Sequence, residues 1–220
     1  MKTKLLIFSE SDSDYVKYSQ LISPIHIDSV DFAEHVGVLR SVSGNLPHIQ
    51  QRMVNHRKAL ASILFSGMAR RHRANPLASL RAEKMFGTPV MFSGLASLIL
   101  NSTEVEIVSQ HAKQTTQNLL KLFKKTPEPV IFLISGTLPG EGTLHLKQLT
   151  LFGMICRLPG NILNTIAKHI LHSCPDNDKS WFAQIRSLCY TYGLPHPLVL
   201  LENPPTKIEF KSAINKNIAD

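Results

Sequence analysis

Helix-breaking residues cut most of this chain into short closed lengths. Asn75-Pro76, Gly87, Pro89, Thr126-Pro127, Gly136, Pro139-Gly140, Pro159-Gly160 and Gly193 follow one another through the 220 residues. Proline removes a helix hydrogen bond and clashes with the preceding turn, while glycine takes the left-handed conformation that ends helices. Between these stops, apolar residues recur at helical spacing. The pattern predicts helices over 46–73, 76–86, 88–100, 103–125, 126–134, 141–158, 161–173 and 179–192. Thr103 with Glu106 reads as a capping box. Ile162, Ile166, His169 and Ile170 fall on one face and read as the amphipathic side of their helix. Pro195, Pro197, Pro204 and Pro205 make 193–206 read as an extended linker, followed by a short helix over 207–217 that frays.

The first 43 residues read differently. Residues 4–8 form a short apolar strand, and 9–18 a polar loop with Glu10, Asp12 and Asp14. The two aspartates lack the remaining spacing of a calcium loop. Asp28-Ser29 suggests a hairpin between 24–27 and 30–33, and Phe32 to Arg40 reads as a strand interrupted by Gly37. The fold class expected is therefore mostly α. A helical bundle over 44–192 is preceded by a small strand-rich α+β piece over 1–43. A Pro-rich linker and short terminal helix over 193–220 follow it, with 1–30 and 207–220 expected to be loose.

Positive charge is concentrated. Between Glu34 and Glu104 the only acid is Glu83, against nine bases: Arg40, Arg52, Arg57, Lys58, Arg70, Arg71, Arg73, Arg81 and Lys84. The net +8 of that stretch equals the net +8 of the whole chain. A block of this kind suits phosphate. Gly44-Asn45-Leu46-Pro47 signals a turn into the first helix, with Asn45 as N-cap. On that helix Ile49, Met53, Leu60, Ile63 and Leu64 share one face. Arg52, Asn55, Lys58, Ser62, Arg70 and Arg73 are expected on the opposite, solvated face. With Arg40 just ahead of the helix, Arg52, Lys58, Arg70 and Arg73 are the candidate nucleic-acid contacts.

Other chemistry finds little support. No Gly-x-Ser-x-Gly elbow is present, and Gly136-Thr137-Leu138-Pro139-Gly140 lacks the Lys-Ser/Thr of a phosphate loop. His169, His172, Cys174 and Cys189 lack a paired Cys-x-x-Cys and read as ordinary helix residues, so no metal site is assigned. Three cysteines without tight spacing suit free thiols in a reducing, intracellular setting, cytoplasm or nucleus. The longest apolar run, 89–100, falls short of the ~20 residues that span a bilayer, so no membrane partner is expected.

Phe32-Ala33-Glu34-His35-Val36-Gly37-Val38-Leu39-Arg40-Ser41, the following Gly44-Asn45 and the basic helix resemble non-LTR retrotransposon (LINE-type) reverse transcriptases. The similar part is the end of the palm, with its primer-grip hairpin, and the helical thumb. Lys2-Thr3-Lys4-Leu5-Leu6-Ile7-Phe8-Ser9 resembles the palm strand that bears a lysine. Gly136-Thr137-Leu138-Pro139 and Tyr192-Gly193-Leu194-Pro195 resemble the post-palm region. The resemblance implies a primer-grip-like role for His35, Val36, Gly37 and Val38, and duplex backbone held by the basic helix. The family's catalytic aspartates lie upstream of the lysine strand and are not among these residues, which leaves Lys2 and Lys4 as remnants. The expectation is a truncated, reverse-transcriptase-like protein, not itself an enzyme. It has no catalytic residues and no cofactor, magnesium belonging only to the intact family enzyme. Its partner would be nucleic acid, duplex or RNA–DNA hybrid, held weakly and without sequence preference. A helical module docking an acidic protein on the same basic stripe is the alternative, and a retroelement relic without a role is a third.

Overall fold

The computed structural model describes residues 32–35, 38–41, 44–63, 75–173 and 180–219. The strand expected over 4–8, the acidic loop, the turn at Asp28-Ser29, and Val36, Gly37, Leu64, Arg70, Arg73 and Cys174 lie outside them. The architecture is mostly helical, with one small antiparallel two-stranded sheet ahead of the helices.

That sheet corrects the single strand expected over 32–40. β1 (Phe32–His35) pairs with β2 (Val38–Ser41), Phe32 opposite Ser41 and His35 opposite Val38. Only two residues, the second a glycine, separate the paired ends, which is a hairpin spacing. α1 (Leu46–Ile63) follows the turn at Gly44, whose φ of 102° a residue with a Cβ adopts only with strain. Asn45 does not serve simply as a local cap. Its side-chain amide donates to the Ile99 carbonyl at 2.8 Å and to Glu104 Oε2 at 3.4 Å.

α2 (Pro76–Ala82) starts on Asn75, whose side chain accepts from the Leu77 N–H. Gly87, expected as a stop, does not end it. A π turn over Glu83–Gly87 inserts an extra residue, and the chain runs on as α3 (Thr88–Met91). A 3-10 turn over Leu95–Ser97 leads to α4 (Ser102–Leu120). Its capping box is formed by Asn101 and Glu104 rather than Thr103 and Glu106, and each side chain is bonded to the other's backbone N–H. Both pairs fit the pattern, but Glu104 also accepts from Asn45, and that tertiary contact accompanies the earlier register. Lys121, in the left-handed conformation at φ 55°, ends α4 short of Lys124 and Lys125.

α5 (Glu128–Ser135) stops at Gly136 as expected, and α6 (Gly140–Cys156) organises the interior. Its Leu144 packs with Ile49, Met91, Phe92, Leu95, Leu98 and Val108 in a first core. Its Leu149, Phe152, Ile155 and Cys156 enter a second core with Leu171, Ile185, Leu188, Leu200, Phe210 and Ile214. The start of α6 lies almost against α4: a Cβ on Gly140 would fall 2.6 Å from the Ser109 Cα.

α7 (Ile162–Ser173) turns the other way from expectation. Ala167 and Leu171 are buried, whereas Ile162 is 72% exposed and Ile166 41%. Small Ala167 lets the helix sit close, and Asn164 Nδ2 donates to the Ile155 carbonyl at 3.3 Å, which fixes the inward side. α8 (Trp181–Thr191) is capped by Ser180, and Trp181 Nε1–H donates to the Ala96 carbonyl, linking it to the first half of the chain. The Pro-rich stretch expected as linker contains α9 (Pro197–Glu202), which buries Leu200 and Leu201. The terminal helix α10 (Lys207–Ala219), expected to be loose, is instead packed: its Phe210 and Ile214 are buried in the same second core. Among the described residues no helix is long and apolar enough to cross a membrane.

Candidate functional site

The expected basic contacts separate. Arg40 on β2 and Lys58 on α1 are exposed, as is Arg57 beside it. None of the three has an ion-pair partner among the described residues. Arg52 is the correction. It was expected on the solvated face, yet it is half-buried with its Nε out of reach of water. At about 100° per residue it lies only about 60° round α1 from Ile49, inside the covered flank rather than opposite it. Of the primer-grip-like residues, His35 is paired through β1 and Val38 packs on the first core.

His48 secures the hairpin to α1. The Leu39 N–H donates to His48 Nδ1 at 3.1 Å, so that nitrogen carries the lone pair. Nε2 therefore carries the proton and faces the Ser93 carbonyl at 3.4 Å. One neutral ring thus holds β2, α1 and the segment after α3 together. Burial, then the charge of Arg52, hold its pKa below the ordinary value.

A second histidine on the same helix begins a chain of three buried or half-buried polar side chains. His56 and His111 are both buried. His56 Nδ1 lies 2.8 Å from His111 Nε2, and His56 Nε2 lies 3.0 Å from each Glu83 carboxylate oxygen. Thr88 Oγ1 adds a longer bond to the same carboxylate at 3.3 Å. Glu83 sits on the π turn, a feature common at functional sites. Gly87 makes room for it: a Cβ there would stand 1.8 Å from Glu83 Oε2 and 2.9 Å from His56 Nε2.

The carboxylate sets the direction of the chain. It only accepts, so a neutral His56 donates from Nε2 and presents a lone pair at Nδ1. His111 then donates from Nε2, and its Nδ1 is left as a hydrogen-bond acceptor with no partner among the described residues. Two cavities flank this chain. On one side an inner pocket of about 270 Å³ is lined by His56, Glu83, Thr88, Thr116, Phe132 and Thr137. On the other an open cleft of about 480 Å³ between α1 and α4 is lined by Arg57, Leu60, His111, Gln114, Thr115 and Asn118.

Comparison of the chain with protein-family models, curated proteins and solved structures finds no match. The site is therefore argued from its own geometry. Cys156 and Cys189 are buried, and burial pushes both thiols up to about 12, which keeps them protonated. Among the described residues no group of three or more His, Cys, Asp or Glu is placed to hold a metal ion.

The signal for the histidine chain was present but faint. His56 stands seven residues after Ile49 and His111 three after Val108, so both lie on inward helix faces. A buried histidine needs partners, but nothing local says which.

The titration of His111 gives a direct test. Burial, then the charges of His56 and Arg57, lower its pKa from 6.5 to about 4. Between those values the unfolded chain binds a proton that the folded chain does not, so stability rises with pH across the window. His48 and His145 are lowered too, chiefly by burial, and add in the same direction. The unfolding free energy read from urea titration is expected to fall steadily as pH drops from about 6.5 to about 4, with His111 contributing up to roughly 1.4 kcal/mol per pH unit. In His111→Gln the fall is expected to be shallower. Midpoints flat across that range would contradict a neutral, buried His111.

Proposed function

We propose that this chain is a reverse-transcriptase-like palm-edge and thumb portion that holds nucleic-acid backbone weakly and without sequence preference. Its residues bind rather than catalyse. The supporting order is the one the resemblance implies: a strand hairpin, then a basic helix, then a helical body. The observation that carries the reading is the exposure of Arg40, Arg57 and Lys58, none ion-paired among the described residues, within a block holding the chain's entire net +8. Exposed cations contact phosphates, release counterions and carry no base information.

The test follows from the burial differences. Arg40→Glu with Lys58→Glu is expected to weaken binding to every duplex sequence alike and to leave the melting temperature unchanged. Each lost phosphate contact lowers the salt slope by about 0.9 on B-form DNA. Wild-type affinity is expected on the order of micromolar or weaker at physiological salt. Arg52→Glu, by contrast, is expected to destabilise the fold. Unchanged binding by the folded double variant, or competition by an acidic protein but not by duplex, would remove nucleic acid as the partner. Primer extension by the purified chain would overturn the non-catalytic part.

A further inference from the structure

We propose that the cleft between α1 and α4 takes one backbone phosphate together with the 2′-hydroxyl of the adjoining ribose, Arg57 holding the phosphate and His111 Nδ1 accepting the hydroxyl. The chain then prefers strands containing ribose. This rests on the nucleic-acid reading above and adds the sugar to it.

Three observations meet in the cleft. It is lined by Arg57, an exposed, fixed cation without an ion-pair partner among the described residues. His111 also lines it and is only 4% exposed. The Glu83–His56–His111 chain commits the His111 Nε2 proton inward and leaves Nδ1 as a lone pair. An acceptor beside a cation selects a ligand that offers both an anion and an O–H. A phosphate alone satisfies Arg57 but meets the histidine lone pair with its own. A ribose 2′-hydroxyl donates to that lone pair, and it lies next to the phosphate in RNA. Gln114, Thr115 and Asn118 add further hydrogen-bonding side chains along the α4 wall.

The chain explains why the acceptor would persist in the presence of phosphate. An approaching anion favours protonation of an imidazole. Protonating His111 at Nδ1 would place a cation on a ring that burial and the charges of His56 and Arg57 disfavour as one. The acceptor role is thus imposed from the interior.

Fluorescence anisotropy on the full chain tests this with three labelled probes of one sequence. These are an RNA–DNA hybrid, the same hybrid with a 2′-fluoro RNA strand, and a DNA duplex. The 2′-fluoro strand keeps the A-form shape but has no hydroxyl proton to donate. The hybrid is expected to bind roughly threefold to tenfold tighter than its 2′-fluoro form, the worth of one net hydrogen bond. In His111→Gln the side-chain amide keeps a donor toward His56 but loses the Nδ1 acceptor, and the ratio is expected to fall to one. Arg57→Ala should weaken all three probes and leave the ratio in place. Equal wild-type affinity for the hybrid and its 2′-fluoro form overturns this inference while binding stands, and it needs no variant to fold. Failure of all three probes to show salt-dependent binding overturns the nucleic-acid reading as well.

Discussion

Replacing His56 with leucine is expected to lower the unfolding free energy by about 4 kcal/mol, because it strands two groups at once. The Glu83 carboxylate, whose side chain is 13% exposed, is left with only the longer bond from Thr88 Oγ1, and the His111 Nε2–H loses its acceptor. For a chain of this size the melting temperature should drop by roughly 10 °C. The cost is one of orphaning rather than of a strong bond lost, and a double variant separates the two. Adding Glu83→Met to His56→Leu removes the unpaired charge and should recover more than half of the loss. Denaturant titration followed by circular dichroism reads both. A single variant that costs less than about 1 kcal/mol, or a double variant that costs the sum of the two singles, would show that the chain is not a coupled unit.

A chain ending at Thr206 is expected to lose the cooperative unfolding of its second core. α10 supplies Phe210 and Ile214, both buried, and Asn217 Nδ2 donates to the Tyr192 carbonyl at 2.7 Å. The Phe210 ring lies against the α6 backbone: a Cβ on Gly153 would stand 2.5 Å from two of its ring carbons. Losing one such aromatic costs about 3–5 kcal/mol by truncation, and losing the helix leaves a larger void that α6, α7 and α9 cannot close. The point variant Phe210→Ala provides a milder version, with a loss of about 3 kcal/mol and the chain still folded. An unchanged urea midpoint for the truncated chain would make α10 an appendage.

The same helix shows what the sequence left unread. Phe210, Ile214 and Ile218 make one narrow stripe at four-residue spacing, and a narrow stripe near a chain end reads as a marginal helix until its cover is seen. Stops were legible because they are local: Gly136 and Gly193 both take positive φ at helix ends, as their position implied. Gly87 resembled them and was not a stop, since its missing Cβ serves a carboxylate four residues back. The α7 face inverted because isoleucines weigh heavily in an amphipathic pattern, whereas the contact was made by small Ala167. Arg52 was misplaced because periodicity gives the direction of a buried face but not its width, and the width depends on the neighbouring elements. The histidine chain is a contact across 55 residues of sequence, and only the packing of α1 on α4 brings its rings together.

α6 carries a mechanical consequence. Leu144 lies in one core and Phe152 in the other, so the seam between them is crossed by unbroken helix. Bending there would break main-chain hydrogen bonds and open both interiors together. Flexure is left to connections outside Gly140–Cys156, and a load applied at the α4 surface reaches α10 through a stiff rod.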